Sequence, residues 1–162
     1  MSDLLMKMPV PFEPKRKNRF ILRFPSSLGI QEWYVSTTKR PSAKIGSVEI
    51  PFLNTSTYVA GRFLWDEVTV NFRDPIGPSA MQALMEWFRL HAESVTGRMG
   101  YASGYKVDVE LDMLDPGGVV IERWRMEGCF ITTLSGGDLN YSQEELATID
   151  ITLRPDRCIL IY

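Results

Sequence analysis

Alternating apolar and polar side chains run through most of this sequence, and they predict a chain built mainly of β-strands. The clearest case is the segment 105–113, where apolar residues at alternate positions face one way and charged residues face the other. An Asp-Pro-Gly-Gly turn at 115–118 and a returning strand at 119–126 complete a hairpin. Its second strand places Arg123 and Arg125 across from acids of the first. Further strands are predicted at 18–24, 31–38, 42–50, 66–73, 129–134, 146–153 and 158–162.

One helix, at 78–94, is predicted among the strands. Pro78 suits the first helical turn, and Ser79 and Gln82 have the spacing of a capping box. Gly97 can end the helix. Apolar residues recur at steps of three and four, as on a helix with one buried face: Met81, Leu84, Met85, Phe88, Ala92 and Val95. The predicted fold class is therefore mainly β, an antiparallel two-sheet sandwich or barrel with one α-helix that covers an edge or an open end.

A protruding loop is predicted at 40–61. Its central stretch, 51–61, is long for a hairpin connection between strands and carries apolar residues that follow no strand alternation. Exposed apolar side chains of this kind usually mark a surface that a partner covers. The candidate contact residues are Arg40, Pro51, Phe52, Leu53, Asn54 and Tyr58.

Charge is distributed unevenly along the 162 residues. Residues 1–62 carry ten Lys and Arg against four Asp and Glu, and the remainder carries eight against sixteen, although the net charge is only −2. A proline-rich arm, 1–17, ends in a Lys-Arg-Lys cluster and precedes a single domain at 18–162. The basic half fits either nucleic-acid binding or contact with the acidic body of a neighbouring copy.

The sequence shows no recognisable catalytic or metal-binding set. His91, the single histidine, lies near the Leu84–Phe88 side of the predicted helix and is expected to be packed or half exposed, and a serine or cysteine nucleophile would need it as its base. Cys129 and Cys158 fall inside apolar strand patterns and are expected in the core, without the spacing of a zinc site. We therefore expect no enzyme activity, no metal and no cofactor. No apolar run has the length of a membrane helix, and the N-terminus does not resemble a secretion signal.

The segment 50–88 resembles the tail tube proteins of contractile-tail (T-even type) bacteriophages, which belong to the Hcp-like tube superfamily. The matching features are Ile50-Pro51, Val59-Ala60-Gly61, Trp65-Asp66, the alternating strand at 68–72 and Trp87. The Asn-Arg-Phe start at 18–20 and the closing Ile-Asp-Ile-Thr-Leu strand at 149–153 follow the same layout. The basic, proline-rich arm and the Asp-Pro-Gly-Gly hairpin depart from it.

The resemblance implies a non-enzymatic structural subunit. Such subunits form hexameric rings that stack into a tube, through which DNA passes and around which a sheath contracts. The implied partners are further copies of the chain and the sheath, tape-measure, baseplate and tail terminator proteins, with no membrane anchor. The implied location is the virion tail, assembled in the host cytoplasm. Two alternatives stay open: an Hcp-like or tailocin injection tube protein, and a small nucleic-acid-binding β-barrel.

The resemblance also implies where each group of candidate residues lies in an assembled tube. The loop at 40–61 would contact the next ring, and the basic cluster Lys15, Arg16 and Lys17 would dock on an acidic surface of an adjacent subunit. A conduit for DNA must not bind phosphates, so neutral or acidic strand faces are expected to line it. The candidate lumen residues are Thr69, Asn71, Thr148, Asp150 and Thr152. The charged face of Lys106, Asp108, Glu110 and Asp112 is expected on the outside, towards a sheath.

Overall fold

A computed structural model describes residues 12–162, so the first eleven residues of the predicted arm lie outside the described part. The strands are β1 Phe20–Arg23, β2 Val35–Thr37, β3 Ala43–Phe52, β4 Thr55–Trp65, β5 Val68–Arg73, β6 Val107–Leu114, β7 Val120–Ser135, β8 Thr148–Arg154 and β9 Arg157–Leu160. The helices are α1 Ala80–His91 and the short α2 Ala102–Tyr105.

Seven of the strands form one antiparallel sheet that curls into half of a barrel. Its order is β1-β6-β7-β8-β5-β2, and β9 pairs with β7 beside β8. In the part of the chain that the structure describes, strands β3 and β4 pair only with each other, as a separate two-stranded sheet. The predicted antiparallel, mainly β fold with one substantial helix is confirmed.

The core lies between the inner face of the sheet and α1. Leu84 and Trp87 of the helix are buried against apolar residues of the central strands. The predicted cap is present, because the Ser79 side chain accepts a hydrogen bond from the Gln82 backbone N–H at 3.4 Å. The helix ends at His91 rather than near residue 94, and the chain is already extended at the next residue.

Strand β7 is one strand of sixteen residues, where the alternation predicted two separate strands at 119–126 and 129–134. Gly128 joins the two parts with φ at +66°, a left-handed conformation that favours glycine. A Cβ at this position would stand 2.2 Å from a carboxylate oxygen of Asp156. The first part of β7 pairs with β6 and β9, and the second part pairs with β8, so the strand changes neighbours at the bend.

The segment predicted as a strand at 31–38 is only partly a strand. Its first half forms a 3₁₀ turn at Glu32–Tyr34, and β2 is limited to three residues. The Tyr34 ring is buried, and its hydroxyl donates to the Pro78 carbonyl at 3.0 Å. This contact with the segment before α1 holds the turn against the core.

The charged face of β6 is only partly solvated, which corrects the prediction for Asp112. This carboxylate is fully buried and accepts hydrogen bonds from Arg123 Nε at 2.8 Å and Nη2 at 3.2 Å. Arg23 of β1 adds a second cation at 3.3 Å. Asp108 is half exposed and pairs with Arg125 at 3.0 Å. The predicted cross-strand pairing of acids with Arg123 and Arg125 is present, and it neutralises much of this face.

Replacing Asp112 by alanine is expected to lower the free energy of unfolding by about 2 kcal/mol, because two arginines then face each other without their carboxylate. Asp108→Ala is the matched control on the same strand face, and its half-exposed pair is expected to contribute at most about 1 kcal/mol. Urea denaturation of both variants measures the difference. Equal losses for the two variants would contradict the assigned role of the buried carboxylate.

Candidate assembly surfaces

The segment predicted as a protruding loop is a long β-hairpin. Strands β3 and β4 pair from Ala43↔Trp65 at the base to Phe52↔Thr55 at the tip, where Leu53 and Asn54 form the turn. Every residue of β3, and every residue of β4 before Trp65, is exposed. The hairpin therefore projects from the domain instead of packing on it.

The hairpin has one apolar face and one more polar face. Directly paired residues of antiparallel strands share a face. The apolar face carries Val48, Ile50, Phe52 and Val59, all about half exposed or more. The opposite face carries Ser47, Glu49, Pro51, Ser56 and Tyr58, with Ile45 and Phe63 nearer the base. Of the predicted contact residues, Phe52 thus lies on the apolar face, whereas Pro51 and Tyr58 lie on the other.

The tip of the hairpin carries an unusual leucine. Leu53 has φ at 52°, a region that favours glycine, asparagine and aspartate, and its side chain is 89% exposed. A leucine is unfavourable there both for the backbone and for solvation. A partner that covers the side chain would remove the cost of solvation, while the cost of the backbone conformation would remain.

The hairpin is anchored to the domain at its base. Trp65 packs edge-on against Trp124 of β7, with ring centroids 6.3 Å apart, and against Phe63 at 5.1 Å. Asp66 accepts a hydrogen bond from the Ser42 hydroxyl at 3.1 Å and forms an ion pair with Lys44 at 3.5 Å. An isolated two-stranded hairpin is marginally stable in water. A partner that covers the apolar face would therefore stabilise the hairpin.

Arg40 and Lys15, which the sequence assigned to two different contacts, meet at one carboxylate. Glu122 of β7 forms one ion pair with Lys15 at 3.3 Å and another with Arg40 at 3.4 Å. The described end of the arm is therefore tied to its own subunit, and Arg40 lies beside the arm rather than on the hairpin. Nothing in the local pattern of the sequence connects these three residues.

The candidate lumen residues share one face of the curled sheet. Cross-strand pairs join Thr69 to Thr152 and Asn71 to Asp150, while the neighbouring residues along both strands are buried in the core. The Asn71 side-chain amide donates to the Asp150 carboxylate. Thr148 pairs with Arg73, which brings one cation to the end of this face. A shallow groove of about 280 Å³ lies along Thr69, Asn71, Asp150 and Thr152.

The single histidine, His91, is the last residue of α1, and its side chain is buried in the core. His91 stacks on Tyr105 with ring centroids 4.5 Å apart. Its Nε2 accepts from the Ile131 backbone N–H at 3.0 Å, and its Nδ1 lies 2.9 Å from the Trp87 carbonyl, which can only accept. This assigns the neutral tautomer with the proton on Nδ1. Burial lowers the pKa of His91, against smaller opposing effects of backbone hydrogen bonds.

Acidification is expected to destabilise the fold through this histidine. The unfolded chain binds a proton near pH 6.5, whereas folded His91 binds it only at lower pH. Its contribution is therefore complete above pH 6.5 and declines as the pH falls below that value. Denaturation at pH 7.5 and pH 5.5 measures the change, with His91→Gln as the control. A pH dependence that is the same in both proteins would contradict the assignment.

Both cysteines are free thiols in buried positions. Burial raises the pKa of Cys129 to about 12 and that of Cys158 to about 11, so both thiols stay protonated at neutral pH. Among residues 12–162, no group of three or more His, Cys, Asp and Glu side chains is arranged to hold a metal ion. In the same part of the chain, no helix is long and apolar enough to cross a membrane.

No protein-family model and no curated protein matches this sequence. Several solved structures are similar in fold. The anti-feeding prophage tube-terminating cap protein has a TM-score of 0.75 at 18% identity, over 99% of this chain and 98% of that one. A protein of the PVC sheath–tube complex, from an extracellular contractile injection system in its extended state, has a TM-score of 0.69 at 16% identity, over 98% and 95%.

A variant of the Hcp1 protein from E. coli EAEC 042 has a TM-score of 0.50 at 10% identity, over 89% of this chain and 91% of that one. The predicted Hcp-like tube fold is confirmed by these likenesses. The narrower assignment to T-even phage tails stays a prediction.

Proposed function

We propose that the chain is a structural subunit of a contractile tail or injection tube, in which copies form hexameric rings that stack around a channel. The observation that carries the proposal is the exposed hairpin β3–β4, with its apolar face and its leucine tip, on a fold shared with tube and tube-terminating proteins. A subunit that stayed single would leave this apolar surface in water.

In this proposal the hairpin contacts the next ring. It projects from the end of the sheet where β2 ends and β5 begins, and its apolar residues extend to the tip. Within residues 12–162, β1 and β2 are the edge strands of the sheet and provide further surface for neighbours, because unpaired strand edges favour pairing with another chain. Ring closure would cover such edges.

The polar face of β5 and β8 would line the channel in such a tube. Threonine hydroxyls, an amide and one carboxylate offer little attraction to the phosphates of DNA. The sheath, tape-measure, baseplate and terminator proteins would be the partners, and the assembled tube would belong to a virion tail or a related particle built in the host cytoplasm. Phage tail, tailocin and secretion tube are variants of this one proposal.

Electron microscopy of the purified protein tests the proposal. Negative staining of the full chain at increasing concentration is expected to show rings with a central hole, followed by stacked tubes. A cryo-electron reconstruction of a ring should place the Asn71 and Asp150 side chains towards the symmetry axis. A protein that remains monomeric at millimolar concentration would overturn the tube proposal. Rings with these side chains on the outside would overturn only the lumen assignment.

A further inference from the structure

A cleft of about 340 Å³ opens beside the start of β1, and cations dominate its rim. The rim cations are Lys15, Arg16, Lys17, Lys39 and Arg40. The floor is apolar, formed by Phe20, Leu111 and Met113. Glu122 neutralises part of the charge through its two ion pairs, and the other three cations have no carboxylate partner within residues 12–162. A ligand that suits this cleft combines an apolar side chain with negative charge.

The connection between β7 and β8 has this chemistry. Residues 136–147 are exposed throughout and contain three acids, Asp138, Glu144 and Glu145, but no Lys or Arg. Large apolar side chains also point into solvent there: Leu139, Tyr141 and Leu146. This segment is called the acidic loop below.

A preformed turn presents the aromatic residue of the acidic loop. The Asn140 side-chain oxygen accepts hydrogen bonds from the Ser142 backbone N–H at 3.0 Å and from its hydroxyl at 2.7 Å. The Gln143 N–H donates to the Asn140 carbonyl at 3.2 Å. Tyr141, within this turn, is fully exposed. An ordered turn reduces the conformational entropy that docking would cost.

The cleft and the acidic loop lie at opposite ends of β7. Met113 of the cleft floor pairs with Glu122 near the first residue of β7, and the acidic loop begins after the last residue, Ser135. At about 3.3 Å per residue, roughly 40 Å of strand separates them. Each copy therefore offers the loop at one end and the cleft at the other, which is the arrangement of a head-to-tail contact that repeats from copy to copy.

We infer that the acidic loop of one copy docks in the basic cleft of the next copy. Tyr141 rests on the apolar floor, and Glu144 and Glu145 face rim cations such as Lys39. The inference rests on the proposed function, because the proposed tube defines the next copy as the neighbouring subunit along the stack. It deepens that proposal by naming the acidic surface that the basic arm meets.

Charge reversal tests the contact in the full-length protein. Glu144→Lys is expected to raise the critical concentration for tube formation by about tenfold, as is Lys39→Glu. The two substitutions together should restore assembly, because the reversed charges again oppose each other. Glu86→Lys, on the exposed side of α1, changes net charge equally and is the matched control. Normal assembly of Glu144→Lys, or an equal loss in Glu86→Lys, would overturn the inference.

Cross-linking separates this inference from the tube proposal. One preparation carries Lys39→Cys and the other Tyr141→Cys, and the native cysteines are buried. A short bismaleimide is expected to join the two preparations into a heterodimer, but not when Gln82→Cys replaces Tyr141→Cys. A cross-linked heterodimer without tubes at any concentration would overturn the tube and retain the contact. Tubes that form without this cross-link would overturn the contact and retain the tube.

Discussion

Replacing Phe52 and Leu53 with aspartate is expected to abolish tube formation while the domain stays folded. Both side chains stand at the hairpin tip, 72% and 89% exposed, and contribute nothing to the buried core. Covering a Phe and a Leu in the next ring would stabilise each contact by about 3–6 kcal/mol in total. Loss of that burial, together with two desolvated charges, weakens each contact by at least about a hundredfold.

The hairpin offers controls that separate contact from folding. Ser47→Asp with Ser56→Asp places the same two charges on the more polar face and is expected to assemble with little change. Leu53→Asn suits the positive φ better than leucine does, so it should keep or raise the thermal stability of the monomer while weakening assembly. Sedimentation and negative staining measure assembly, and circular dichroism measures the fold. Unchanged tubes from the Phe52/Leu53 variant would show that the tip makes no contact between rings.

The elements that the sequence predicts well are those whose structure depends on local pattern alone. Strands β5, β6 and β8 each place their apolar side chains on one face towards the core, so apolar and polar residues alternate along them. The start of α1 is predictable for the same reason, since Ser79 and its partner lie three residues apart. These features need no knowledge of distant residues.

The sequence does not predict the hairpin, because two of its features interrupt the alternation of side chains that is typical of strands. Between the pairs Ile45↔Phe63 and Ser47↔Ala60, β4 carries one residue more than β3, and this bulge moves the following side chains of β4 to the other face. Ala60 and Phe63 therefore share a face although they stand three residues apart. Pro51 within β3 adds to the appearance of a loop, but it lies in a two-stranded sheet whose outer edges are both open among the described residues.

Contacts between distant segments are the other part that the sequence does not reveal. The sequence pattern predicts that Asp112 is one more exposed acid on an alternating strand. Its burial depends on Arg23, which belongs to a strand far away along the chain. The pairing of Lys15 and Arg40 at Glu122 depends in the same way on how β1 and β2 approach β7. Local periodicity encodes which face a residue occupies, but not which element covers that face.

Introducing lysines on the proposed lumen face is expected to make assembled tubes retain DNA. Thr69 and Asp150 lie on the polar face of β5 and β8, diagonal to each other, so two lysines there avoid direct opposition. Every copy in the stack repeats the added charges along the channel. Each lysine that neutralises a phosphate releases a counterion, so affinity rises steeply at low salt and falls as salt is added.

Thr69→Lys with Asp150→Lys should therefore yield tubes that capture a short DNA duplex during assembly at low salt and release it at high salt. Gln82→Lys with Glu86→Lys adds the same charge to the exposed side of α1 and is the matched control. Nuclease treatment distinguishes the two positions, because DNA inside a tube is protected and DNA bound outside is digested. Protected DNA is expected only with the first pair. Digestion of its DNA, or equal protection with the control pair, would mean that this face of the sheet does not line the channel.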